Sequence, residues 1–278
     1  IIRSIRASPA FEGQIYGLAY DAKEPAIYLK DACDKVFLIP YPSSGKDSLF
    51  QRLNYIIGNH PIDFMIPSLD SELNSFLSLE EDLKDMGVKM FLPTNEMLEA
   101  RAKKHLNKIC TQSKISYPKT KEINGYDRMA RTAAEIGYPL VVKGVFYEAT
   151  VVYSLAELEK AAYSIAGRWG FPLLLQEFIK GEEFDIAVVG DGKGGMLGLT
   201  SMKKMQLTSK GKAWGGMTLD SSEIVTNVKR ILKALKWRGP MEIEIMKRQS
   251  DGKFFLIEIN PRFPAWIYLG QGSGCNLP

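Results

Sequence analysis

Residues 241–263, MEIEIMKRQSDGKFFLIEINPRF, constrain the fold of this chain more than any other stretch. Side chains two apart on a strand share a face. Glu242 and Glu244 therefore line one face of a first strand, and Glu258 and Asn260 one face of a second, while Ile243, Ile245, Ile257 and Ile259 point the other way. A hairpin with one apolar and one acidic side satisfies the pattern. Ser250-Asp251-Gly252 supplies its turn, with Gly252 in the left-handed region. A three-residue loop pairs Gln249 with Lys253, Glu244 with Glu258, and Glu242 with Asn260. A two-residue loop would set carboxylates against isoleucines, so the first register is preferred. Carboxylates directly opposite one another repel. A divalent cation would remove that conflict, since Mg²⁺ takes carboxylate, amide and phosphate oxygens. Arg262 follows, with a planar fork suited to phosphate or carboxylate. A solvated acidic strand face is the plain alternative. The tight grouping with Asn260 and Arg262 argues against it.

A second informative stretch is residues 172–191, PLLLQEFIKGEEFDIAVVGD. Leu173, Leu174, Leu175, Phe178 and Ile179 make an apolar wall interrupted by Gln176 and Glu177. A purine needs flat apolar surface with a few donors and acceptors at its edge. Gly181 permits a turn, and Glu183 stands within reach of sugar hydroxyls. An ordinary strand–turn–strand accounts for this segment equally well. Among the lysines, Lys143 lies inside the apolar run PLVVKGV, as a cation buried beside an anion would. Lys203 and Lys204 end GLTSM, and Lys103 and Lys104 precede His105. Surface solvation is the usual state of a lysine.

The chain has 278 residues, 45% of them hydrophobic, enough for one large or two ordinary domains. A net charge of +4 points to neither nucleic acid nor an anionic membrane, and it suits a polyanionic small molecule. No apolar run approaches the roughly 20 residues of a membrane span. Cys33, Cys110 and Cys275 form neither a zinc spacing nor a disulfide framework, so a cytoplasmic location is expected. With only two histidines, a histidine-rich metal site or a Ser-His-Asp triad is disfavoured.

Residues 1–93 alternate strand patterns (27–29, 35–39, 64–66, 88–92) with helical ones (48–57, 72–86), which implies a parallel sheet. Thr94 is a helix N-cap candidate for residues 94–115. From Pro139 the chain is strand-rich, with helices near 154–167 and 222–235, and reads as antiparallel sheet. One boundary falls near 93 and a softer one at 125–140. Without an opening strand and glycine-rich turn, and ending on GQGSGCNLP, the sequence reads as a piece of a longer protein.

The order PLVVK, QEFIKGEEF, EIE and LIEINPR resembles the ATP-grasp superfamily over roughly residues 94–263. The texture is nearest its carbamoyl-phosphate-synthase-like and carboxylate–amine ligase branch, and DFMIPSLDSEL is similar to the α/β domain that precedes it there. The resemblance implies an α/β chain, α+β in its second half. It has a parallel-sheet domain over 1–93 that resembles the N-terminal domain of biotin carboxylase. An ATP-grasp domain with antiparallel sheets follows over 94–278: linker helices (94–135), a small ATP-binding subdomain (136–190), and a metal and substrate subdomain (191–278).

The same resemblance implies roles. Lys143 and an upstream cation, Lys104 or its neighbour Lys103, contact nucleotide phosphate. Gln176, Glu177 and Ile179 hold adenine, and Glu183 holds ribose. Glu244, Glu258 and Asn260 bind Mg²⁺, with Mn²⁺ as the alternative. Arg262 steadies the transferred phosphoryl group or acyl phosphate, and Lys204 joins it as the catalytic cation, with Lys203 the competing choice. The implied enzyme is a ligase that forms C–N or related bonds. A small carboxylate is phosphorylated by Mg-ATP, and an amine or other nucleophile displaces the phosphate. Neither nucleic acid nor membrane is a partner, and the branch allows a homodimer. Bicarbonate as the carboxylate, or a non-catalytic ATP-binding scaffold, are the alternatives. Some features depart from the family. GVFYEATVVY has a single glycine where the family carries a glycine- and serine-rich phosphate loop, which places Tyr147 or Glu148 at its tip. Pro264 and Trp266 stand where smaller residues are common. Residues 204–216, KMQLTSKGKAWGG, read as a lid over the acceptor or as a solvated loop.

Overall fold

A computed structural model describes residues 1–102, 105–144, 148–208, 211 and 213–278. Its strands are β1 (Tyr16–Ala19), β2 (Lys35–Leu38), β3 (Thr120–Ile123), β4 (Leu140–Gly144), β5 (Ala149–Val152), β6 (Leu173–Glu177), β7 (Gly181–Asp191), β8 (Met196–Leu207), β9 (Ala213–Thr218), β10 (Arg238–Arg248) and β11 (Phe254–Asn260). They form a parallel pair β1-β2, a four-stranded sheet in the order β3-β6-β4-β5, and a five-stranded sheet in the order β11-β10-β7-β8-β9. The chain divides into two compact units. The first holds Ile1–Ala102, Asp185–Ile243 and Ile259–Pro278; the second holds Lys103–Phe184 and Glu244–Glu258. Among the described residues no helix is long and apolar enough to cross a membrane.

In the first unit, the helix Lys46–Asn59 buries Leu49, Leu53 and Ile56, one stripe at four- and three-residue spacing. That stripe packs with Leu73, Phe76, Leu79, Leu83, Val88 and Leu92. Parallel pairing is present, with Tyr16 opposite Lys35, but the strands expected at 64–66 and 88–92 amount to a single parallel bridge from Phe64 to Lys89. Three local expectations are corrected. Residues 27–29 are not a strand: Pro25–Tyr28 is a 3-10 turn, because Pro25 presets a helical φ and Tyr28 and Leu29 have no core to face, being 72% and 50% exposed. The helix expected over 72–86 is broken at Leu79 into Leu73–Ser78 and Glu80–Asp85, since the Leu79 N–H bonds Phe76 O three residues back. β1 was not expected at all, because Tyr16–Ala19 is too short to show alternation.

In the second unit, the antiparallel sheet covers the helices Met129–Ile136 and Leu155–Trp169. Leu140, Val142, Leu173 and Leu175 fill that core with Ile123, Ala133, Leu158 and Ile165. Alternation sends Val141, Lys143, Leu174 and Gln176 to the other face. Ser154 caps the longer helix, its hydroxyl accepting the Glu157 N–H at 3.3 Å.

Gly181 opens β7 directly against backbone. A Cβ there would stand 1.9 Å from Lys247 O and 2.7 Å from its carbon. Gly181→Ala is therefore expected to cost at least about 2 kcal/mol, read as a lower urea midpoint at unchanged slope.

Candidate active site

The hairpin turn is wider than the sequence suggests. The Arg248 N–H donates to Lys253 O at 2.9 Å and the Gly252 N–H to Arg248 O at 2.9 Å, so Arg248, not Gln249, closes against Lys253. Competing partners account for it. The Gln249 N–H is taken by Lys180 O at 2.9 Å. Gly252 has φ +69°, and the Asp251 carboxylate grips Arg248 Nε at 2.9 Å and Nη2 at 2.6 Å. The Arg248 guanidinium holds the Asp251 carboxyl far below the usual range.

Further along the strands, the side chains of Glu242 and Asn260 meet, and more converges on Glu242 than the sequence indicated. Glu242 is buried, its side chain 7% exposed. Oε2 accepts from Asn260 Nδ2 at 3.1 Å and Arg262 Nη1 at 2.9 Å, and Oε1 accepts from Trp266 Nε1 at 2.8 Å. Arg262 is also held by Asp70, Nε to Oδ1 at 3.1 Å. Asp70 in turn lies 3.5 Å from Arg101, whose Nη1 reaches Ile259 O at 3.4 Å. A buried carboxylate with three donors is satisfied, and it offsets the charge of Arg262. Ionised, Glu242 can only accept, so the nitrogen of Asn260 must face it and the amide oxygen faces elsewhere. That orientation presents an oxygen donor of the kind Mg²⁺ takes. Glu258 precedes Asn260 by two on β11, and Glu244 follows Glu242 by two on β10.

The second unit holds the other expected residues. Lys143 on β4 pairs with Leu174 on β6, and Leu174 with Glu122 on β3; Gln176 pairs with Val141 and Thr120. These positions share the face away from the helices. A cavity of about 410 Å³ opens on it, lined by Asn107, Tyr117, Pro118, Lys119, Thr120, Glu122 and Leu174. Gln176 is buried and donates from Nε2 to Thr120 Oγ1 at 2.8 Å. Burial raises the Tyr117 hydroxyl, against the pull of hydrogen bonds with Thr120 and Gln176. Glu177 accepts the Lys119 N–H at 3.1 Å and lies 3.6 Å from Arg248. Ile179 is buried, and Glu183 is half-buried on β7.

Lys204 sits on β8 opposite Gly216. It pairs with Asp185 at 3.0 Å, both side chains nearly inaccessible. Asp185, Asp70 and Arg101 were missed by sequence reasoning. Asp185 carries a signal in hindsight, a lone acid inside the apolar run FDIAVV. Lys103, Lys104 and Tyr147 lie outside the described residues.

Against solved structures, the chain is similar to a biotin carboxylase from Campylobacter jejuni in complex with β,γ-ATP. The TM-score is 0.74 at 17% identity, covering 98% of this chain and 64% of that one. That likeness defines the fold class. The ATP-grasp domain family matches residues 100–265, more than half of the chain. The chain belongs to the ATP-grasp family. Its similarity extends to the arginine-specific carbamoyl phosphate synthase large chain of Geobacillus stearothermophilus, 27% identical over 202 residues, 67% of this chain and 19% of that protein. It extends also to a D-alanine–D-alanine ligase of Delftia acidovorans, 31% identical over 142 residues, 45% of this chain and 43% of that one. The chain spans about a fifth of the length of the carbamoyl phosphate synthase it matches.

Proposed function

We propose that this chain is an ATP-dependent ligase that activates a small carboxylate as an acyl phosphate for attack by an amine or related nucleophile. The observation that carries the reading is the family match over residues 100–265, a span that includes the proposed site residues Lys143, Gln176, Glu183, Glu244, Glu258, Asn260 and Arg262.

In this reading adenine is held at the hinge of Gln176, Glu177 and Ile179, and ribose by Glu183. Lys143, with Lys104 upstream, neutralises phosphate charge. Glu244, Glu258 and the Asn260 oxygen would hold Mg²⁺, or Mn²⁺ in its place, and the ion would supply charge neutralisation. Both reactants are anions, so the barrier is largely electrostatic and is lowered by fixed cations and by alignment. Arg262 is preorganised for this, because Asp70 and Glu242 fix its plane. Lys204 contributes a second cation from β8, anchored by Asp185. No covalent enzyme intermediate is needed. The domain limits proposed with this reading are those expected from the sequence, 1–93 and 94–278. Cys33, Cys110 and Cys275 are free thiols, which suits a cytoplasmic location.

The test is release of ADP and phosphate from Mg-ATP across amino acids, small carboxylates and bicarbonate. Release that depends on one carboxylate and one nucleophile is the expected result. Release with bicarbonate alone would move the reading to a carboxylase or carbamoyl-phosphate-forming enzyme. Tight Mg-ATP binding with no release under any substrate would favour the scaffold.

A further inference from the structure

We infer that Glu242 is a positioning residue for the metal-facing side of this site, an inference that rests on the proposed Mg-ATP reading. The expected ligand set does not include Glu242, and the geometry gives it a different task. It is a buried carboxylate that accepts from three donors: Asn260 Nδ2 at 3.1 Å, Arg262 Nη1 at 2.9 Å and Trp266 Nε1 at 2.8 Å. An acceptor-only group in that place decides which way the Asn260 amide lies. Nitrogen inward means oxygen outward, and only the oxygen can ligate a hard cation. The same carboxylate, with Asp70, sets the orientation of Arg262. Trp266 completes the arrangement by fixing Oε1, so Oε2 stays turned to Asn260 and Arg262. The aromatic at this position thus has a polar purpose, its N–H finding a buried acceptor.

The substitution Glu242→Gln keeps the shape and removes one acceptor. A carboxamide has one oxygen and one NH₂. With its oxygen toward Asn260 and Arg262, its NH₂ faces the Trp266 N–H. Turned over, its NH₂ faces two donors, and Asn260 must rotate its own oxygen inward to meet it. Either orientation sets donor against donor. Adding Trp266→Phe removes the conflict in the first orientation and leaves Asn260 as in the native chain.

The experiment is calorimetric titration of the full chain with a non-hydrolysable ATP analogue, once with Mg²⁺ and once in chelator. Glu242→Gln is expected to weaken binding in Mg²⁺ by about 10- to 100-fold, the range for outer partners of metal ligands, and to leave binding in chelator unchanged. Glu242→Gln with Trp266→Phe is expected to recover most of that loss. A space-filling role for Glu242 predicts no effect of this isosteric change. A general folding role predicts equal losses with and without Mg²⁺, and no recovery from a second substitution. Either result overturns the inference. Failure of the unsubstituted chain to bind the analogue in both conditions would overturn the Mg-ATP reading itself, and the inference with it.

Discussion

Glu258→Gln is expected to reduce ATP turnover by about 10²- to 10³-fold, the several kcal/mol of charge stabilisation that a bound metal contributes. Glu258 lies two residues before Asn260 on β11, so the two share a face. Asn260 is turned with its oxygen away from Glu242. Removing the charge of Glu258 leaves the backbone and the volume in place and takes away one anionic oxygen. The loss should therefore appear in kcat at saturating nucleotide, with the urea midpoint little changed. A fall in both would mark Glu258 as a folding residue. Steady-state ADP release with the responding substrate, beside chemical denaturation of both proteins, separates the two.

Asp185→Ala is expected to cost about 3–5 kcal/mol of folding stability, because it strands the Lys204 ammonium in a site that excludes water. The two side chains are 3.0 Å apart, at 6% and 5% exposure. Desolvation makes an unpaired charge there far more costly than the pair itself is stabilising. Replacing both members, Asp185→Leu with Lys204→Met, should recover much of that loss in stability while removing the cation. Turnover in that double variant then reports on the part Lys204 plays in the reaction. Denaturant unfolding read by tryptophan fluorescence measures the first effect, and substrate-dependent ADP release the second.

The legible parts of the sequence were those governed by short periodicities. The 241–263 hairpin declared its two faces because its acids and isoleucines alternate at period two, and Gly252 marked the turn. Lys143 was visible as a charge inside an apolar strand, and the structure sets it beside Leu174 on the face away from the helices. Other features depend on partners far away in the chain. The turn closed at Arg248 because Lys180 and Asp251 claim groups that a local count leaves unassigned. Nothing near Lys204 in sequence announces Asp185 on the neighbouring strand. Asp70 meets Arg262 only once residues at both ends of the first unit are folded together. Glu242 was visible as an acid, but its task follows from three donors, Asn260 at the end of the next strand and Arg262 and Trp266 beyond it. The 27–29 segment shows the opposite failing: its apolar residues looked like a strand, and Pro25 and the lack of a core partner overruled them.

The central claim is that ATP activates a carboxylate by phosphorylating it, and oxygen tracing tests that step most directly. The responding carboxylate would be labelled with ¹⁸O and turned over with unlabelled Mg-ATP and the nucleophile. The phosphate released would then be analysed by mass. An acyl phosphate hands one carboxylate oxygen to phosphorus, and that oxygen leaves with the phosphate when the nucleophile attacks carbon. One ¹⁸O per phosphate released is the result this account predicts. Phosphate that carries oxygen from water and none from the carboxylate would contradict it, since ATP would then be hydrolysed without activating the substrate.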